Sequence, residues 1–111
     1  MREDAMHATV ETADDAAVVY LDGRLTFAEN GAFRQVVEEL QQVDHSQVVI
    51  DLSRLDFIDS AGLGMLLVAR DLVAAHGGGV ALRHAAGQVG RMLHLAKFGD
   101  FFAMDGGCAQ V

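Results

Sequence analysis

Hydrophobic and polar residues alternate from Met6 to Glu11, with Met6, Ala8 and Val10 set against His7, Thr9 and Glu11. A period of two predicts a half-buried strand. Asp14-Asp15 reads as a turn, and AAVVYLDG after it as a second, more apolar strand that closes a hairpin and ends at Gly23. From Thr26 the period changes. TFAE matches a capping box, with Thr26 as N-cap and Glu29 three residues on. Phe33, Val36, Val37, Leu40 and Val43 then recur at helical spacing, opposed by Arg34, Glu38, Glu39, Gln41 and Gln42, the pattern of an amphipathic helix lying on a sheet. Asn30-Gly31 weakens its first turn.

SQVVIDL is a β-branched run without alternation, which predicts a central strand buried on both faces. A second helix is expected from about Ser60 to His76, stopped by Gly77-Gly78-Gly79, because glycine takes the left-handed conformation of a helix C-cap. VALRH reads as a short strand. Val89, Met92, Leu93 and Ala96 mark a third helix, DFFAM a last short strand, and DGGCAQV a frayed tail. The order β-β-α-β-α-β-α-β, with helical crossovers after an initial hairpin, predicts an α/β fold. Its sheet is mixed, with four to five strands covered by about three helices. The 111 residues suit a single domain, with its core at about 6–104 and a flexible tail over 105–111.

Composition narrows the function. About half the chain (51%) is apolar, enough for a packed core. Sixteen acidic residues against eight basic ones give a formal charge of -8, which repels phosphate backbones and anionic lipid and disfavours nucleic acid and membrane surfaces as partners. A basic protein partner fits better. Cys108 is the only cysteine, so no internal disulfide forms, in keeping with a reducing cytoplasm. MREDAMHATV lacks the apolar core of a secretory leader. The longest apolar run, AGLGMLLVA, is far short of the ~20 residues that span a bilayer. A soluble cytoplasmic protein is expected.

Candidate chemistry concentrates in DFIDSAGLGMLL, Asp56 to Leu67. Ser60 has three readings. As a helix N-cap, its hydroxyl accepts a first-turn N–H, with Asp59 before it favoured by the helix dipole. As a nucleophile it lacks the first glycine of G-x-S-x-G, since Ile58 stands there although Gly62 supplies the second. As a phosphoacceptor it occupies an exposed strand-to-helix junction whose N-terminal dipole tolerates a phosphate. Gly62 and Gly64 weaken the helix start and leave room for another protein's backbone. Asp51, Asp56 and Asp59 suggest Mg²⁺ only weakly, because Asp51 lies within the apolar strand. His7, His45, His76, His84 and His94 form no i, i+4 pair on one helix. No enzyme, metal or cofactor is expected. The second helix is apolar all round, with Leu63, Leu66 and Leu67 in one sector and Met65, Val68 and Leu72 in another. One sector faces the sheet, and the other calls for partial cover by a neighbouring helix plus a partner.

From YLDGRLTF to FF, and above all in VVIDLSRLDFIDSAGLGMLL with its Gly-Gly turn about sixteen residues after Ser60, the chain resembles the bacterial anti-sigma-factor antagonists of the STAS domain family. The resemblance implies regulation by partner switching. Ser60 would be the phosphorylation site, flanked by Asp59, Ala61, Gly62, Leu63, Gly64 and Met65 as the partner-binding segment. An anti-sigma factor that is also a GHKL-type serine kinase would bind the unphosphorylated form and release the phosphorylated one, and a PP2C-type phosphatase would reverse the switch. Two departures stand out: Ala61 replaces a second hydroxyl found in many members, and HAAGQV lacks the Ser-Pro or Thr-Pro that often opens the third helix. The family also allows a scaffold or transporter-accessory subunit that binds partners without phosphorylation, and a nucleotide-binding module. For the latter, no glycine-rich phosphate loop with lysine is present.

Overall fold

The computed structural model describes residues 6–13, 16–41 and 47–105. The element order is β1 (Met6–Ala13), β2 (Ala16–Leu25), α1 (Asn30–Gln41), β3 (Gln47–Ile58), α2 (Ser60–Ala75), β4 (Gly79–Arg83), α3 (Gly87–Leu95) and β5 (Ala103–Asp105), with 3₁₀ turns at Phe27–Glu29 and Phe98–Asp100. The five strands form one mixed sheet in the order β1-β2-β3-β4-β5. The β1–β2 pair is antiparallel and every other pair parallel, as a hairpin followed by helical crossovers requires. The α/β fold expected from the sequence is the fold observed. Asp14-Asp15, Val43, His45 and the tail with Cys108 lie outside the described residues.

One face of the sheet is dry. Val19, Ile50 and Leu82 lie in register across β2, β3 and β4 and are buried, with Phe33, Val37 and Leu40 of α1 and Leu66, Ala69 and Val73 of α2 in the same core. The opposite face is more open: Gln47 is exposed and Val49 half-buried, so the central strand is not buried on both faces as its composition suggests. The polar exception there is Asp51, 5% exposed. Its carboxylate accepts from Arg83 Nε at 2.8 Å, from the Ser53 N–H at 2.9 Å and from the Ser53 hydroxyl at 2.6 Å. Burial works against the charged form, but the Ser53 and Arg83 hydrogen bonds outweigh it and hold Asp51 below its ordinary value of 3.8. A lowered carboxylate pKa contributes stability above the unfolded-state value, and that contribution is lost as pH falls through the folded one. Asp51→Asn should therefore destabilise the protein by about 1–3 kcal/mol at pH 7. The deficit should shrink as pH falls below the ordinary 3.8 toward the lower folded value, through which the folded carboxyl takes up its proton. Urea unfolding of both proteins at pH 7 and pH 3 checks this, and a pH-independent deficit would refute it.

Beyond Asp51 the burial rhythm of β3 changes from two to three: Leu52, Leu55 and Ile58 are buried with exposed pairs between them. Register shifts against β2 explain it. Tyr20 pairs with Asp51 but Asp22 with Arg54, and Gly23 with Leu55 but Arg24 with Phe57. Each shift gives β3 one extra residue, and a bulge re-aims the side chains that follow. Both strands consequently run further than expected: β2 passes through Gly23 (φ 103°) to Leu25, and β3 continues to Ile58. At the other end, DFFAM is not a strand throughout. Phe98 and Phe102 stack in the core with ring centroids 5.3 Å apart, and the strand begins at Ala103.

Candidate functional site

The site lies where β2 and β3 end together. Leu25 pairs with Ile58 in the last rung, and each strand then turns into a helical segment. After β2, Thr26 opens the 3₁₀ turn that leads into α1. Its N–H and hydroxyl both donate to Glu29 Oε1, at 2.7 and 2.6 Å, so the expected capping box forms here and serves the 3₁₀ turn that precedes α1. After β3, Asp59 carries out the corresponding task for α2. It is extended (φ -112°, ψ -176°), and its Oδ1 accepts the Gly62 N–H at 2.8 Å. Its Oδ2 accepts the Phe27 N–H at 3.3 Å, and its own N–H donates to the Leu25 carbonyl at 3.3 Å. One residue thus caps α2 and ties it to the end of β2.

This arrangement resolves the place of Ser60. The N-cap of α2 is Asp59, not Ser60. Ser60 is the first helical residue and is exposed, and among the described residues its hydroxyl has no hydrogen-bonding partner. The first intrahelical bond runs from Leu63 N–H to the Asp59 carbonyl. The Ser60 and Ala61 N–H groups therefore belong to the unpaired first turn and lie where the dipole favours negative charge. Among the described residues no hydrogen bond links a histidine to the Ser60 hydroxyl. Asp51, Asp56 and Asp59 are not brought together either, and among the described residues no group of three metal-ligating side chains forms.

The two glycines of the motif separate. A Cβ on Gly62 would overlap the Leu25 carbonyl oxygen and stand 2.7 Å from Ile58 Cγ1. Only glycine lets the first turn of α2 pack this tightly on the strand ends. Gly64 meets nothing within 4 Å and lies open, lining a groove of about 550 Å³ between α1 and α2. Phe33, Val37, Ala61, Met65, Val68 and Leu72 also line it, with Arg34 and Glu38 on the α1 side. The second apolar sector of α2 therefore has the partial cover expected. Met65 is 7% exposed and Val68 55%. Met65 forms buried groove wall, and Leu63 is half-buried against the core. At its far end α2 closes with a Schellman motif: Gly77, at φ 85°, donates to the Ala74 carbonyl and Gly78 to Val73.

Three features of the site went unread in the sequence. Phe27 and Phe57, 73% and 43% exposed, flank Asp59-Ser60, one through its N–H bond to Asp59 and the other through the strand. The third is Gln88, whose side chain bonds to the Ile58 backbone. Phe27 falls outside the apolar stripe of the helix that follows it, and Phe57 follows Asp56 in a bulged strand; both were visible as misplaced aromatics. Nothing in the spacing of Gln88 marks it.

A model of the STAS domain matches residues 7–109. A STAS-domain containing protein of Pseudomonas aeruginosa is 27% identical over 84 residues, covering 76% of this chain and 82% of that protein. Among solved structures, an anti-sigma factor antagonist from Mycobacterium paratuberculosis superposes with a TM-score of 0.79 at 23% identity, over 89% of this chain and 84% of the other. The anti-sigma factor antagonist SpoIIAA of Bacillus is similar in both its forms. The unphosphorylated form gives a TM-score of 0.69 at 22% identity, covering 89% and 87% of the two chains. The phosphorylated form gives 0.67 at 19%, covering 89% and 91%.

Proposed function

The chain belongs to the STAS domain family, and from that premise we propose that it is an anti-sigma factor antagonist switched by phosphorylation of Ser60. The observation that carries this reading is the division of labour at the start of α2. Asp59 makes the cap, which leaves the Ser60 hydroxyl exposed and unpaired in the first turn. A residue in that position is free to be modified without dismantling the fold. The described alternatives are less available: the Ser53 hydroxyl is engaged by Asp51, and Ala61 offers none. That a neighbour of the same fold is known in both unphosphorylated and phosphorylated forms supports the same reading.

The chemistry of the switch is interfacial. Unphosphorylated protein presents Ser60 between Phe27 and Phe57, with Leu63, Gly64 and the groove beyond, to an anti-sigma factor that is also a GHKL-type serine kinase. This surface has the apolar, aromatic character of a docking patch. Phosphate brings roughly -1.5 to -2 charge and three acceptor oxygens next to Asp59 and Asp56. The α2 dipole and the free first-turn N–H groups accommodate it within the isolated protein, whereas at a closed interface the added charge is desolvated and repelled. The partner is released, and a PP2C-type phosphatase restores binding. The chain itself acts by binding, without catalysis or a cofactor, in the cytoplasm. No helix of the described residues is long and apolar enough to cross a membrane.

The test is incubation with ATP and each anti-sigma-type kinase of the source genome, followed by phosphosite mapping. Label should appear on Ser60 alone and vanish in Ser60→Ala. Because Ser60 is not the cap, that variant should keep wild-type stability to within about 0.5 kcal/mol in urea. Label persisting on Ser60→Ala would refute the assignment.

A further inference from the structure

The side-chain amide of Gln88 makes both of its strong contacts to a single residue. The Ile58 N–H donates to its Oε1 at 2.9 Å, and its Nε2 donates to the Ile58 carbonyl at 2.9 Å. This is the pairing that a neighbouring strand would offer. It is needed because β4 accompanies β3 only to Asp51, so the later part of β3 has no strand on that side. Beside the fully buried Ile58 side chain, an unpaired peptide would leave desolvated donor and acceptor groups without partners. Gln88 is the second residue of α3, a helix whose N-cap, Ala86, makes no side-chain cap bond and whose first residue, Gly87, has φ 58°. The missing Ser-Pro start thus coincides with a different anchor, a glutamine tied to β3.

Asp59 and Ser60 follow Ile58 directly. Their backbone is held from β2 by the Asp59 N–H to Leu25 bond, and from the other side by Gln88 through Ile58. We propose that Gln88 is the positioning residue of the Ser60 junction. Docking of the first turn of α3 fixes the extended backbone at Ile58, and this sets the Asp59 cap that leaves Ser60 exposed. Its importance for switching rests on the phosphoacceptor reading above, while the clamp has a readout of its own.

A helix-stabilising role and a clamping role make opposite demands at position 88. A carboxylate there complements the α3 dipole, yet it removes the donor to the Ile58 carbonyl and sets negative charge against it. Gln88→Glu should favour the helix and break only the half of the clamp that reaches the Ile58 carbonyl, whereas Gln88→Ala removes both halves. Amide hydrogen exchange by NMR on the full chain separates the two roles. In Gln88→Ala the Ile58 and Gly62 amides should exchange roughly tenfold faster, about 1.4 kcal/mol, while in Gln88→Glu the Gly62 amide should accelerate and that of Ile58, which a carboxylate still accepts, should change less. The amides of Ile50 and of Leu93 in α3 should keep wild-type rates in both. Unchanged exchange at Ile58 and Gly62 in Gln88→Ala, or acceleration spread equally over Ile50 and Leu93, would overturn the proposal. With the kinase that labels Ser60 in wild type, kcat/KM should fall in both variants and the label should stay on Ser60. Unaltered kcat/KM in both would also overturn it. If no kinase labels wild type, the phosphoacceptor reading fails and the exchange pattern alone decides the clamp.

Discussion

Gly62→Ala is expected to destabilise the protein by about 2–4 kcal/mol, whereas Gly64→Ala, two positions along the same helix, is expected to stabilise it by about 0.5–1 kcal/mol. The first methyl would be driven into the Leu25 carbonyl oxygen and against Ile58 Cγ1. Both belong to the strand ends, so neither yields as a flexible side chain would, and overpacking of this kind costs about 1–3 kcal/mol or somewhat more. The second methyl enters open space, and only the helix preference for alanine over glycine remains. Denaturant unfolding of the two variants measures the contrast directly. Destabilisation of similar size at both positions would show that the close packing at Gly62 is not what holds the start of α2. Since Gly62 also donates to Asp59, the same variant should disturb the cap and lower the rate at which Ser60 is labelled.

Ser60→Asp should weaken binding to the anti-sigma kinase by roughly a hundredfold, equivalent to a few kcal/mol for one unfavourable desolvated charge at an interface. The aspartate brings less charge than a phosphate, so some binding should survive. Ser60→Ala should bind like wild type, because neither the cap nor the core uses the hydroxyl. Calorimetric titration of the three proteins against the kinase distinguishes this from a general loss of surface complementarity, in which the alanine variant would weaken too. Contacts away from Ser60 are expected to set affinity without affecting the switch. Of the two apolar residues closest to the site in sequence, Leu63 is the informative one, since Met65 is buried and its truncation would chiefly create a cavity.

How far the sequence reveals this molecule depends on the range of the interactions. The alternation at Met6–Glu11, the helical stripe from Phe33 to Leu40 and the triple glycine after α2 report local periodicity and backbone preference, and the elements they predict are present. The ends of β2 and β3 are less legible. Gly23 looks like a stop but sits inside a strand, and the threefold rhythm of Leu52, Leu55 and Ile58 makes sense only once the bulges against β2 are seen. The site follows the same rule. That Asp59 and Ser60 stand at a helix start is plain from DFIDSAGLG, yet which of them caps is settled by geometry: Asp59 reaches both Gly62 and Phe27. Gln88 was invisible because its partner, Ile58, lies thirty residues away in the chain, and no local pattern encodes such a contact.

The phosphate on Ser60, and not any change of fold, is expected to set affinity for the partner. The most direct measurement takes one preparation of wild-type protein, divides it, and phosphorylates half to completion with its kinase. Each half is then titrated calorimetrically with that kinase. The phosphorylated half should bind at least a hundredfold more weakly, about 2.7 kcal/mol, while its urea unfolding midpoint stays close to that of the other half. Equal affinities of the two halves would contradict the account and identify the chain as a scaffold that binds its partners without a phosphate switch.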